Sequence, residues 1–306
     1  MKKVKILKFV AALILVPLLI YLFQNWDIPV RQLGHLIYQI GNRSGAAGGG
    51  SIEIFTFNSQ VLNGVLKEVK LYLPLNYDDG DSYPVLYLFH GFPGDDSDWI
   101  LNAGIKSTLD GLIRDNDLPP IIVVFPDANG PIIHDGEYLN ATLIDQPMED
   151  YILEVVSIID RKYKTIKERK GRGIGGLSSG AYGAMNIGLH HNDQFAYIIS
   201  HSGYFINNER VTNRLLGRDE EARFKNNPLD YIRDKTLDSY TFIYFDIGNL
   251  DAKEFIKENE EMDSVLKQKG IQHEFNITPG WHDWNLWRKN VVTSLRFLGK
   301  NLKTLR

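Results

Sequence analysis

Gly176-Leu177-Ser178-Ser179-Gly180 is the stretch that most restricts what this chain can fold into. It follows Arg172-Gly173-Ile174-Gly175 and precedes the small and apolar run Ala181 to Leu189, so G-x-S-x-G stands between a short strand and a helix. In that context the pattern acts as a nucleophile elbow. The turn is so sharp that its central serine takes a strained backbone, and its flanking residues must be small because strand and helix nearly touch. Alone, the pattern also fits a tight strand–helix turn without chemistry. Ser178 is therefore a candidate nucleophile that needs a base, an acid and an oxyanion hole from the rest of the chain.

The rest of the chain predicts an α/β fold. Ser51 to Phe57 and Gly64 to Leu73 read as strands, with Asn63-Gly64 as a hairpin turn between them. Tyr83–Phe89, Pro120–Asp127, Phe195–Ser200 and Tyr240–Asp246 are almost continuously apolar, the mark of strands buried on both faces. His273–Ile277 is a last strand. Ile105–Arg114, Met148–Tyr163, Ala252–Lys269 and Trp287–Leu302 have helical patterning, and Gly270 suits a C-cap. A long loop runs from Asp127 through Ala141, and the polar stretch Tyr204 to Asp234 reads as an insertion covering the site. Strands alternating with helices imply a mainly parallel sheet with helices on both faces, whose site lies at the carboxyl ends of the strands.

Composition restricts the chemistry. The 306 residues are enough for one large α/β domain or two small ones, and 43% apolar with 24% charged residues is ordinary for a globular protein with a substantial core. The net charge of −4 argues against a nucleic-acid partner. No cysteine is present, which excludes disulfides, zinc–thiolate sites and a thiol nucleophile.

The N-terminus points to a membrane. Lys2, Lys3, Lys5 and Lys8 precede the uncharged run Phe9 to Phe23. A helix from Ile6 to Trp26 would span about 31 Å, close to a hydrocarbon core of roughly 30 Å. No A-x-A-like site follows, so an uncleaved anchor is preferred over a signal peptide for residues 1–26. The lysines place the N-terminus inside and the bulk of the chain on the extracytoplasmic face, or secreted if the segment is cleaved. Residues 27–50 form a juxtamembrane segment and a Gly-rich linker, and residues 51–306 form the catalytic domain.

Chain order selects the partners of Ser178. In α/β-hydrolases an acid and then a histidine follow the serine. Five histidines follow it here. His190 and His191 ride on the elbow helix about three turns away, His201 precedes any acid candidate, and His273 lies within a strand. His282, in the loop Pro279-Gly280-Trp281-His282-Asp283-Trp284, is the expected base. Asp251, in a loop with room to reach across, is the favoured acid. Asp246 stays the alternative, and Glu254 reads as a solvated helix residue. The oxyanion donors are expected from the backbone of Ser179 and of the loop His90-Gly91-Phe92-Pro93-Gly94. Pro93 lacks an N–H, which leaves Phe92, or Gly91. His90 reads as a brace for that turn.

Taken together, His90–Gly94, Asp98-Trp99, Pro126-Asp127, Gly176–Ala184, Ser202-Gly203, Pro279–Trp284 and Trp287 resemble the esterase D family over about Ile52 to Leu298. That family includes S-formylglutathione hydrolases, tributyrin-type and feruloyl esterases, and mycolyltransferases. The resemblance implies an α/β-hydrolase fold, no metal or cofactor, and cleavage of an acyl ester through an acyl-enzyme. It maps nucleophile, acid and base onto Ser178, Asp251 and His282, and oxyanion donors onto Phe92 and Ser179. Ala181 and Trp281 depart from the glycines common in the family and are expected to alter packing around the elbow and the histidine. The expectation is a membrane-tethered extracytoplasmic serine esterase acting on a small-molecule or lipid ester. The alternatives are an acyltransferase on envelope lipids or glycans using the same triad, and a non-catalytic binding module on a hydrolase scaffold.

Overall fold

A hairpin opens the folded region. β1 (Ser51–Ser59) and β2 (Val65–Leu73) pair antiparallel, with Ser59 opposite Val65. Asn63 and Gly64 close the turn at φ of 55° and 84°, the left-handed conformation that this dipeptide tolerates best. The computed structural model describes residues 48–80, 82–134, 137–206 and 213–303. Residues 50–306 belong to one compact unit.

The strands that follow are β3 (Val85–Phe89), β4 (Ile122–Pro126), β7 (Arg172–Leu177), β8 (Tyr197–His201), β9 (Phe242–Gly248) and β10 (His273–Thr278). With the hairpin they form one sheet in the order β1-β2-β4-β3-β7-β8-β9-β10. From β4 to β10 every neighbouring pair is parallel, while β1–β2 and β2–β4 are antiparallel. The α/β-hydrolase architecture with a mainly parallel sheet is thus present. β3, β4 and β7 are buried along their whole length, as their runs without alternation require.

The helices are α1 (Asp98–Leu101), α2 (Ile105–Arg114), α3 (Met148–Lys162), α4 (Ser179–His190), α5 (Glu220–Lys225), α6 (Pro228–Tyr231), α7 (Lys253–Gln268) and α8 (Trp284–Lys303). α3 carries Glu149 and Asp150 in its first turn and Arg161 and Lys162 in its last, charges that suit the helix dipole. Side chains of α3, α4 and α7 share a core with alternate residues of β3, such as Val85, Tyr87 and Phe89. α8 touches β8, β9 and α2 and covers the other face. Each fully buried Ile, Val or Leu in these layers contributes about 1.5–3 kcal/mol.

Three expectations change. The long loop after β4 holds a two-stranded ribbon, β5 (Asn140–Ala141) with β6 (Gln146–Pro147). α8 starts one turn earlier than its apolar pattern suggests. Asp283 Oδ1 accepts the amides of Asn285 at 2.8 Å and Leu286 at 3.2 Å and so caps the helix there. The described part of the 204–234 insertion is fastened to α4 rather than left over the site. Tyr182 Oη donates to Asn226 O, Asn186 Nδ2 to Asn226 Oδ1, and His190 Nε2 lies 2.7 Å from Lys225 O.

The expected anchor at 1–26 and most of the 27–50 segment lie outside the described residues. Among the described residues no helix is long and apolar enough to cross a membrane.

Candidate active site

β7 ends at Leu177 and α4 begins at Ser179, so Ser178 alone makes the turn. Its backbone stands at φ 53°, ψ −121°, a conformation that costs a non-glycine residue about 1–3 kcal/mol. Its amide donates to His201 O at 2.9 Å, which ties the turn to the end of β8. The flanking glycines are obligatory on contact grounds. A Cβ on Gly176 would sit 2.4 Å from Gly180 O, and one on Gly180 would sit 2.3 Å from His90 O.

Three loops at the carboxyl edge of the sheet converge on this serine. His282 Nε2 lies 2.9 Å from Ser178 Oγ, and His282 Nδ1 lies 2.8 Å from Asp251 Oδ2. The Asp251 side chain is 2% exposed and that of His282 32%, so the acid is shielded while the imidazole still meets the cavity. Asp251 Oδ1 accepts the amide of Ala252 at 2.8 Å, so both carboxylate oxygens have partners. Asn249 laces the two loops together. Its Oδ1 accepts the Gly280 amide at 3.1 Å, its own amide donates to Thr278 O, and the Leu250 amide donates to Gly280 O. A hydroxyl, an imidazole and a carboxylate in this row form the arrangement that can draw the proton from a serine and hold the resulting imidazolium.

The other candidates go elsewhere. Asp246 faces His201 Nδ1 at 2.7 Å. His190 and His191 both meet Glu149, and His273 Nε2 meets Asp263 Oδ1 at 3.0 Å. Glu254 is exposed on α7. Trp281 is 62% exposed. Trp287 packs on the histidine: its ring stands at 85° to that of His282, with centroids 5.1 Å apart. Chain order could not single out Trp287. It sits five residues beyond His282, and only the capped start of α8 turns it back.

The loop after β3 stands beside Ser178. The Gly91 carbonyl accepts from Gly94 N at 2.7 Å and lies 3.0 Å from His90 Nδ1. Because the peptide is planar and trans, the Phe92 N–H on its opposite edge points away from His90. His90 Nε2 accepts the Ala128 amide at 3.1 Å, so the ring must be neutral with its proton on Nδ1. Burial holds its pKa below the ordinary value, against the pull of nearby Asp127. Tyr138 Oη and Asn129 Nδ2 fix the carbonyls of His90 and Gly94. Ser179 opens α4, where the first amides have no partner within the helix.

A cavity of about 370 Å³ lies beside Ser178. Phe92, Pro93, Leu177, Trp284 and Trp287 give it apolar walls, and Asp98 and Asn102 add polar ones. None of its walls comes from the described part of the 204–234 segment. Among the described residues no group of three His, Asp or Glu is arranged to hold a metal ion.

The fold is that of an α/β-hydrolase, and Ser178, His282 and Asp251 stand in one row at the carboxyl edge of its sheet. Residues 59–298 match the family described as "putative esterase", and the chain belongs to that family. It is a carboxylic ester hydrolase of the esterase D-like serine esterases. An acetyl esterase of Caldicellulosiruptor saccharolyticus is 26% identical over 249 residues, covering 72% of this chain and 85% of that protein. Of other curated relatives the chain spans less, 57% of an uncharacterized protein of Corynebacterium glutamicum and 28% of an esterase of Mycobacterium tuberculosis. A solved ferulic acid esterase superposes with a TM-score of 0.73 at 25% identity, over 83% of this chain and 98% of that one. An S-formylglutathione hydrolase from Agrobacterium tumefaciens shares the fold, with a TM-score of 0.72 at 18% identity over 84% and 98% of the two chains.

Proposed function

We propose that the enzyme cleaves small acyl esters through an acyl-enzyme on Ser178. The observation that carries this reading is the continuous row Ser178–His282–Asp251, with contacts of 2.9 and 2.8 Å. Ser178 Oγ attacks the acyl carbon while His282 Nε2 takes its proton. Asp251 holds the imidazolium. The carbonyl oxygen becomes an oxyanion facing the amides of Phe92 and Ser179. Collapse expels the alcohol, which receives the proton from His282. Water then attacks the acyl-enzyme, gives its proton to His282, and releases the carboxylic acid and free Ser178.

The cavity falls in the usual range for small-ligand pockets, roughly 300–1,000 Å³. Its aromatic walls suit acyl groups between acetyl and an aromatic acid, and the acetyl esterase and ferulic acid esterase relatives support the same range. The basic and apolar N-terminus supports a tethered enzyme with its catalytic domain on the extracytoplasmic side. Membrane fractionation and protease accessibility of the full chain test that location.

Replacement of Ser178 by Ala is expected to lower kcat on short p-nitrophenyl esters by about 10⁴–10⁶-fold. Undiminished turnover by the folded variant removes Ser178 from the mechanism.

A further inference from the structure

His201, which chain order sets aside as the base, and Asp246, the alternative acid, form a row of their own beneath the site. They are register partners at the end of β8 and near the end of β9, and neither side chain is exposed. His201 Nδ1 lies 2.7 Å from Asp246 Oδ2, and its Nε2 lies 3.0 Å from Ser294 Oγ on α8. Ser294 Oγ donates to Val291 O, which leaves its lone pairs for His201. The carbonyl of His201 accepts the Ser178 amide at 2.9 Å. The next residue, Ser202, is held at φ 51°. Its amide donates to Asp246 O, and its Oγ accepts Trp287 Nε1 at 3.1 Å.

The bonds made by His201, Asp246 and Ser202 reach the elbow, β9 and α8, the elements that hold or adjoin the members of the Ser178–His282–Asp251 row. The elbow is reached through the Ser178 amide. β9 leads directly into the Asp251 loop. α8 starts just after His282, and Trp287 on its first turns braces the His282 ring.

We infer that His201 is a positioning residue for the reaction: one buried imidazole ties β8, β9 and α8 together and sets the spacing of serine, acid and base. The inference rests on the reading of Ser178 as nucleophile. Stability alone is a poor reason for such a row. A buried ionisable pair gains little over apolar side chains of equal volume. Asp246 Oδ1 is buried without a hydrogen bond of ordinary geometry, with the Tyr244 hydroxyl near the carboxylate, which adds a further cost. Directional bonds do what apolar packing cannot, because they fix the offset between elements. An error of about 1 Å in that offset costs on the order of 10²-fold in rate.

Two variants test this. Ser294→Ala removes the α8 leg and leaves the His201–Asp246 pair intact. His201→Gln keeps one polar contact and loses the bridge. With p-nitrophenyl acetate, kcat is expected to fall about tenfold in Ser294→Ala and about 10²-fold in His201→Gln, with KM within about twofold. The acid limb of the kcat/KM–pH profile, which reports the base, is expected to shift in both. A lower Tm with unchanged kcat per folded molecule and an unchanged pH profile would make the row purely structural and overturn the inference. If His201→Gln does not fold, Ser294→Ala decides alone. Fluorophosphonate labelling of Ser178 in the unaltered enzyme separates the two readings. Absence of labelling removes the nucleophile itself, whereas labelling with normal variants removes only the role of His201.

Discussion

At Ser178, backbone strain falls on the residue that we propose as the nucleophile. The backbone at φ 53° projects Oγ out of the sheet edge, and the His201 carbonyl and the opening of α4 keep it there. The acid that completes the row is specified by its neighbours as much as by itself. Asp246 lies within β9 and Asp251 just after it, and both are paired to a histidine at 2.7–2.8 Å. Only the partner differs. Asp251→Asn can no longer hold an imidazolium at His282, and kcat is expected to fall about 10³–10⁴-fold with KM nearly unchanged. Asp246→Asn acts at one remove and is expected to cost kcat far less and Tm more. Steady-state kinetics and thermal unfolding of the two variants side by side check this. Equal losses of kcat would withdraw the assignment of Asp251 as the acid.

The loop from His90 to Gly94 shows the same logic at the scale of an element. Each of its carbonyls at positions 90, 91 and 94 has a named donor, so the backbone around Phe92, the oxyanion donor we propose, is held in place. His90→Ala leaves the Gly91 carbonyl with one donor fewer and the Ala128 amide unpaired. Loss of a single oxyanion donor costs about 3 kcal/mol, so kcat is expected to fall by up to about 10²-fold with KM little changed. Binding of a boronate transition-state analogue should weaken in parallel, and an undisturbed affinity would detach His90 from the oxyanion site. Elements of this kind were partly legible in the sequence. The apolar runs at Tyr83–Phe89 and Pro120–Asp127 announced buried strands, because they are too short for a helix and rich in β-branched and aromatic residues. G-x-S-x-G and the order Asp then His announced the row. β5 and β6 were not legible, since two residues each carry no periodicity. Nor was the start of α8, which depends on the side chain of Asp283 folding back on its own amides. Loop reach already favoured Asp251 over Asp246, and the structure gives each aspartate its own histidine, His282 and His201.

For the molecule as a whole, acid stability is expected to turn on the seam where α3, α4 and α5 meet. Glu149 of α3 accepts from His190 at 3.0 Å and from His191 at 2.8 Å, and His190 continues to the Lys225 carbonyl at the end of α5. Burial alone would raise the Glu149 carboxyl, but the two histidines outweigh it and bring its pKa from 4.5 down to about 2. The direction follows from linkage. Between those values the unfolded chain binds a proton that the folded one refuses, so unfolding gains as pH falls. The stabilisation is complete above pH 4.5 and is lost as pH drops towards 2. Its ceiling is about 3 kcal/mol, since a tenfold change in proton affinity is worth about 1.4 kcal/mol. Glu149→Gln removes the titrating group while keeping the shape of the side chain. At pH 7 it is expected to melt several degrees lower, at roughly 2–4 °C per kcal/mol for a domain of this size. The gap between the two proteins should narrow from pH 4.5 downwards, because the unaltered enzyme loses there what the variant never had. Thermal unfolding of both at pH steps from about 7 to about 3 measures that gap directly, and a gap that stays constant across the range would show that Glu149 does not hold the seam by charge.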